Sequence, residues 1–371
     1  MAMNKNRTKV ESQGLMARII GISGFDRFFF RRLLLSEYFV LYLCIFYFLV
    51  LLPFIPRLAS PDNLRNIFSN MWPLLAVAIG QTIVLIIAGI DLSQPGIMAV
   101  TSVVGALVMT KCANPDLFAK SPVWGWFITE GGGPLAGSIL AVPMGIIAML
   151  VVGILIGLLN GIAVAKLNMP SFMVTLVTWM FFSNLAIFLT KSENVINLPG
   201  AFNAIGGKGI SFIPFSLFVT GTLAVIAHIL LSRTMAGRWL YAAGTNIRTS
   251  VVSGIPAKKV IIFAFMFSGF CAAAGSVLYS ARLEAGRPTL GSTMLMDIIG
   301  ASVIGGTSLF GGKGKVVWTL FGVLFFVLLA NTLNQLRLDT FKINIVKGLV
   351  ILAAAFLDVA RTRLKQREVA V

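Results

Sequence analysis

Apolar residues in this chain collect into long runs, without the every-second spacing of a half-buried strand or the one-sided stripe of a surface helix. Polar positions are mostly confined to the gaps. The runs cover residues 33–56, 71–90, 95–110, 138–165, 170–190, 211–231, 260–281, 293–305, 316–335 and 344–360. Most are about 20 residues long, the length at which a helix crosses the roughly 30 Å hydrocarbon layer of a bilayer. Lipid offers no hydrogen-bond partners, so each run must satisfy its backbone internally, as a helix. The pattern predicts an all-α polytopic membrane protein of about ten transmembrane helices. A transmembrane domain over 33–360 is flanked by basic segments at 1–32 and 361–371.

Composition agrees: 57% of the 371 residues are hydrophobic, 12% are charged and mean hydropathy is +0.92, more apolar than a soluble core could hide. The net charge of +17 would suggest nucleic acid in a soluble protein, so its placement matters. Ten crossings put both termini on one side. The gaps on that side hold 19 Lys and Arg, the opposite gaps hold ten, and Lys347 lies inside the last run. Since the richer side faces the cytoplasm, both termini are expected there. No gap is long enough for a folded basic domain, which excludes a nucleic-acid partner.

The first apolar run begins at residue 33, is too long for the core of a signal peptide and lacks a cleavage site, so it should remain as a helix. Residues 15–32 mix Leu15, Ile19, Ile20 and Phe28 with Arg18, Arg27, Arg31 and Arg32. Two readings stand for this segment, a helix lying on lipid headgroups and a disordered basic tail. Cys44, Cys112 and Cys271 are scattered without metal spacing and imply neither disulfides nor redox work.

Catalytic chemistry is absent. The one histidine, His228, is expected to be packed and hydrogen-bonded within the bundle. The glycine-rich run from Gly305 to Lys315 fails as a phosphate loop, because Gly312-Lys313 is followed by Gly314 and preceded, five positions back, by Thr307. The chain itself therefore needs no metal or bound cofactor and hydrolyses no ATP.

Polar residues lodged among apolar ones carry the remaining information. Asp91 lies in Ala88-Gly89-Ile90-Asp91-Leu92-Ser93-Gln94-Pro95-Gly96, between two apolar stretches. This is either a broken helix inside the bundle, with Asp91 and Ser93 capping the next helix, or a tight turn capped by Asp91. Asn160-Gly161 is read as closing the fourth run, with Pro170 opening the fifth. Gln81, Asn160, Thr175, Asn184, Asn331 and Asn334 are candidates for either interhelical hydrogen bonds or a polar path. The gap 232–259 contains a short amphipathic helix, capped by Asn246, with Ile247, Val251 and Ile255 on one face and Gly254 and Pro256 ending it. Such a face lies on the membrane surface or docks into a partner's groove.

Taken in order, several segments resemble the permease subunits of bacterial ABC sugar importers of the ribose, xylose and galactose type, over roughly residues 70–360. The marks are Gly89-Ile90-Asp91-Leu92-Ser93, Pro170-Ser171-Phe172-Met173-Val174-Thr175-Leu176, Gly244-Thr245-Asn246 through Ser253-Gly254-Ile255, Ser280-Ala281-Arg282, and Asp297 through Gly312. The resemblance implies a permease that pairs with a second permease chain, identical or homologous. It also implies two cytoplasmic ATPase subunits that use ATP and Mg, and a periplasmic or surface-tethered sugar-binding protein. On it, Gly244, Asn246, Ile247, Val251, Ser253, Gly254 and Ile255 form the helix that couples to the ATPase. The candidate translocation path comprises Gln81, Asp91, Ser93, Gln94, Asn160, Phe172, Thr175, Asn184, Asp297, Asn331 and Asn334. Gln94-Pro95-Gly96 departs from the family, which commonly has Val-Gly and a small residue there.

The expected function is transmembrane translocation of a monosaccharide or similar polyol by alternating access, without covalent chemistry. The rival is an ion-coupled secondary transporter, which needs ionisable residues near the midplane, and only Asp91, Asp297, Lys347 and Asp358 are available. A passive channel has less in its favour.

Overall fold

The computed structural model describes residue 36 and residues 38–207, 209–210 and 213–369, with side chains described to residue 356. The whole of 1–32, including the segment 15–32, lies outside the described residues, as does the Asp358 side chain. The described residues are mostly helical, and the only sheet among them is a two-stranded hairpin of β1 (Gly209–Ile210) and β2 (Ile213–Pro214). The helices are α1 (Phe39–Leu51), α2 (Pro61–Ile86), α3 (Gln94–Met109), α4 (Pro115–Phe118), α5 (Ala141–Lys166), α6 (Ser171–Thr190) and α7 (Gly200–Gly207). After the hairpin come α8 (Phe215–Arg233), α9 (Met235–Thr245), α10 (Ile247–Val252), α11 (Ala257–Leu283), α12 (Leu295–Gly305), α13 (Val316–Gln335) and α14 (Thr340–Val369).

Among the described residues, six helices (α2, α5, α6, α8, α11 and α13) are long and apolar enough to cross a membrane, and α1, α3 and α12 are shorter apolar helices. The uniform length expected of about ten spans is thus met by six helices among the described residues. The run 71–90 begins ten residues later than its helix, because Ser60 caps the amide of Asn63, Pro61 takes the first helical position and Asp62 sits in the first turn. Those signals make a polar segment helical. At the other end, α14 continues through the basic residues assigned to a separate tail. Gap 232–259 is itself mostly helix, since Thr234 caps the amide of Gly237 and starts α9 directly after α8.

The centre of the bundle is made by α2, α3 and α11, whose side chains are buried along most of their length. Around them, α5, α6 and α8 bury one stripe and expose apolar faces that include Ile147, Val151, Leu155, Val177, Phe181, Val225 and Ile229. Those faces suit lipid or another apolar chain. A small-residue seam sets the closest approach: Gly153, Gly157 and Gly161 of α5 lie against α11, where a Cβ on Gly157 would collide with the carbonyl of Phe265 and one on Gly161 would lie 2.7 Å from the Cα of Ile262. Hydroxyl pairs add to the apolar contacts between helices. Thr82 of α2 and Thr319 of α13 are 2.6 Å apart, and Ser102 of α3 and Ser280 of α11 are 2.7 Å apart.

His228 is exposed on α8, contrary to expectation. The buried stripe of that helix is Ser216, Thr220, Leu223, Ala227 and Leu231, and a step of one residue turns His228 about 100° away from Ala227.

Candidate functional site

Between α2 and α3 the helix is broken inside the bundle. Its last turn closes with Ala88 in the left-handed region at φ 59°, the amide of Ala88 on the carbonyl of Leu85 at 2.9 Å and the amide of Gly89 on that of Val84 at 3.0 Å. Residues 87–93 then run non-helically back along α2. Gln94, the first residue of α3, donates through Nε2 to the carbonyl of Val77 at 3.2 Å. Val77 lies nine residues before the end of α2, so α3 begins about 13 Å inside that end. Asp91 is 1% exposed, so the turn it braces lies inside the bundle.

An unwound buried segment must find partners for its backbone. Ile90 finds both on α6, where its amide donates to Ser171 Oγ at 3.1 Å and its carbonyl accepts from Thr175 Oγ1 at 3.2 Å. The Asp91 carboxyl gathers three further donors. Oδ1 accepts from the amide of Ser93 at 2.9 Å and from its hydroxyl at 2.5 Å, and Oδ2 accepts from the hydroxyl of Ser268 on α11 at 2.6 Å.

Amides on α5 and α3 donate in turn to these hydroxyls. Asn160 Nδ2 on α5 donates to Ser93 Oγ at 2.9 Å, and Thr178 on α6 donates to Asn160 Oδ1 at 2.6 Å. Gln94 Nε2 donates to Ser268 Oγ at 2.9 Å. The bonds run toward Asp91 along both branches, Thr178 to Asn160 to Ser93 and Gln94 to Ser268. One carboxyl thus joins the break to three other helices. The amide oxygen of Gln94 and both polar atoms of the Gln81 side chain on α2 are buried with no protein partner.

Asp91, Ser93, Gln94, Asn160 and Thr175 are therefore brought together or into adjoining contacts, with Gln81 buried on the same helix as Val77. Two details differ from expectation. Ser93 holds the first position before α3 without capping an amide of that helix, because its hydroxyl is committed to Asp91. Asn160-Gly161 does not end a helix; both lie within α5, which runs on to Lys166, and Asn160 turns inward to the hub. Ser268, Thr178 and Ser171 were missed as site residues. A signal existed for the first, since Ser268, Ser276 and Ser280 are eight and four residues apart on one face of a helix rich in small residues.

Other candidates lie elsewhere. Asp297 of α12 pairs with Lys347 of α14, Nζ standing 2.7 Å from Oδ1 and 2.9 Å from Oδ2. Asn331 exchanges amide hydrogen bonds of 2.8 and 3.1 Å with Asn63 at the opposite end of α2. Asn334 is exposed. Asn184 is exposed beside Val177, Met180, Phe181, Leu185 and Phe188 and spends its amide on the carbonyl of Met180. Phe172 is half exposed on α6.

At the bundle end where α2 terminates, Asn246 Oδ1 accepts from the amide of Thr249 at 3.1 Å, as an N-cap of α10 should. Ser253 caps its other end and Gly254 follows at φ 81°. Ile247 and Val251 are exposed, at 47% and 57%. Ile255 lies beyond the helix, half buried against the core. Gly244 is buried in the last turn of α9.

Residues 63–355 match the family described as "Branched-chain amino acid transport system / permease component". The chain is 32% identical over 307 residues to the ribose import permease protein of Haemophilus influenzae, covering 82% of this chain and 87% of that protein. It is 29% identical over 299 residues to the D-allose transport system permease protein of Escherichia coli, covering 81% and 84%. The xylose transport system permease protein of Haemophilus influenzae is 28% identical over 365 residues, covering 82% and 90%. No solved structure matches.

Removing the Asp91 carboxyl strands three donor groups. Asp91→Ala is expected to lose about 3 kcal/mol or more, from roughly 1–3 kcal/mol for each buried donor left unmatched, and Asp91→Asn less. Thermal unfolding of the purified protein in detergent measures this, with Asn184→Ala as a surface control within about 0.5 kcal/mol of the parent. An Asp91→Ala midpoint equal to that of the control would show that the hub does not hold the break.

Proposed function

We propose that this chain, which belongs to the permease-component family matched over residues 63–355, is the transmembrane subunit of an ATP-driven importer for a monosaccharide or related small polyol. The observation that carries the reading is similarity over four fifths of the chain to permeases named for ribose, allose and xylose. Three different monosaccharides share that level of identity, so the class of cargo follows and no single sugar is favoured.

The family description names branched-chain amino acids, and the polar interior argues against such cargo here. An amino acid carries an ammonium and a carboxylate that need fixed opposite charges in a dry path. Among the described residues, Asp91 is occupied by three donors and Asp297 by Lys347. Uncharged hydroxyls instead suit amides and hydroxyls. Gln81 and the Gln94 carbonyl oxygen, buried without protein partners, are the groups we assign to substrate hydroxyls or to the water that precedes them. The same engagement of the acids weighs against ion coupling.

In this reading the ten expected crossings are made by the six long helices, the shorter α1, α3 and α12, and α14, with both termini cytoplasmic. The permease works as a pair with an identical or homologous chain. Two ATPases, using ATP and Mg, bind the α10 end, and a sugar-binding protein delivers cargo at the other. ATP-driven closure of the ATPases shifts α10 and exchanges outward-facing and inward-facing arrangements.

Cys112 tests the orientation, because it is exposed while Cys44 and Cys271 are buried. A membrane-impermeant maleimide should label Cys112 in spheroplasts and leave a cysteine placed at Val251 unlabelled; the reverse pattern contradicts the topology. For the function, affinity purification at native expression should bring down an ABC ATPase. Val251→Asp, which sets a charge into the docking groove at a cost of several kcal/mol, should lose that ATPase and sugar uptake while still inserting. Retention of both by Val251→Asp would return α10 to the membrane surface, and absence of any ATPase with the unmodified chain would contradict the importer reading.

A further inference from the structure

The glycine-rich run from Gly305 to Lys315 takes no part in the hub, but its backbone lies against two segments that matter. The amide of Ser308 donates to the carbonyl of Lys313 at 3.0 Å and closes the run into a compact loop. From that loop the amide of Gly312 donates to the carbonyl of Ile86 at 2.8 Å. A helix leaves its last carbonyls unpaired, so the loop supplies a cap for the end of α2.

The same loop is seated on the end of α9. A Cβ on Gly311 would lie 2.6 Å from the carbonyl oxygen of Gly244 and 2.7 Å from the Cβ of Ala88. A Cβ on Gly244 would overlap the carbonyl of Ile86 and come within 2.8 Å of the amide nitrogen of Gly312. Gly311 and Gly312 hold φ of 83° and 69°, a region that a side chain would strain. The hydroxyl of Tyr241, on α9, donates to the carbonyl of Gly314 at 2.7 Å. Burial raises the Tyr241 phenol above its ordinary value, so it keeps the proton it donates.

Three backbones therefore meet with almost no side chain between them: the end of α2, the end of α9 and the glycine loop. On one side, Asn246 leads directly from α9 into α10. On the other, Ala88 stands three residues before Asp91. A contact made of backbone and glycine has few rotamers in which to absorb a displacement, so movement of one segment carries the others.

We infer that Gly244, Gly311, Gly312 and Tyr241 are positioning residues that join α10 rigidly to the α2–α3 break, so that a shift of α10 moves the Asp91 hub. This rests on the importer reading, in which α10 receives the ATPase. The junction is the link that converts docking at the bundle end into motion at its polar centre.

The test is the ratio of sugar taken up to ATP hydrolysed in proteoliposomes holding the full transporter. Gly311→Ala, which wedges the junction open, should keep the ATPase bound and hydrolysis within about twofold while uptake falls about tenfold. Tyr241→Phe, which removes a single hydrogen bond, should lower the ratio about threefold without loss of folded protein. A merely structural role would lower uptake and hydrolysis together and leave the ratio unchanged. An unchanged ratio in Tyr241→Phe, or a parallel loss of both activities in Gly311→Ala, overturns the junction while ATPase co-purification with the unmodified chain leaves the importer reading intact.

Discussion

A carboxyl group enclosed by a lipid-embedded bundle has to be met by donors from the protein, because neither lipid nor bulk water will supply them. That constraint organises the centre of this molecule. Asp91 takes its donors from Ser93 beside it and Ser268 on α11, and those hydroxyls are in turn fed by Asn160 on α5 and Gln94 on α3. The arrangement exists because α2 is interrupted. An intact helix would satisfy its own backbone and need no such partners; the interruption at 87–93 exposes Ile90, which Ser171 and Thr175 on α6 satisfy instead.

The surrounding packing serves this centre. Glycines on α5 let it approach α11 closely enough for Asn160 to reach Ser93, and serines at 268, 276 and 280 on α11 keep α3 in register beside it. The one ion pair among the buried candidates, Asp297 with Lys347, fastens α14 to α12 at a separate site. Beside the hub, the amide groups of Gln81 and the amide oxygen of Gln94 are buried without protein partners, while the unpartnered guanidinium nitrogens of Arg282 and Arg287 lie toward the far end of α11 and beyond it. Those unpartnered amides suit polyhydroxylated cargo. In the proposed importer the energy for moving such cargo enters from outside the chain, at α10, where Ile247 and Val251 are exposed.

Much of this was legible in the sequence, and what was not has physical reasons. The acid, proline and glycines at 88–96 announced a helix break, because few residues interrupt an apolar run so completely. Asn246 announced a short helix for the same kind of reason, a capping side chain before an apolar face. Asn160-Gly161 misled, since an amide followed by glycine is a stop signal at a surface but a packing device inside a bundle, and only tertiary contacts tell the two apart. Ser268 was overlooked because one hydroxyl in an apolar helix usually bonds its own backbone. Asn184 does just that with Met180 and never reaches the centre. Pairings over long separations, Asp297 with Lys347 and Asn63 with Asn331, carry no local pattern at all. The glycine run was recognised as unusual and rejected as a phosphate loop, but its seat against Ile86 and Gly244 depends on a fold that composition does not reveal.

In the proposed ATP-driven permease Asp91 is a brace, where an ion-coupled transporter would use it to carry a proton or sodium ion. Radiolabelled pentose and hexose uptake by proteoliposomes, reconstituted from this chain with its ATPase and binding protein, distinguishes the two directly. Uptake should require ATP inside the vesicles or on the ATPase face, stop with a non-hydrolysable analogue, and continue when ionophores collapse the proton and sodium gradients. Accumulation that proceeds without ATP and vanishes when a gradient is collapsed would contradict the account.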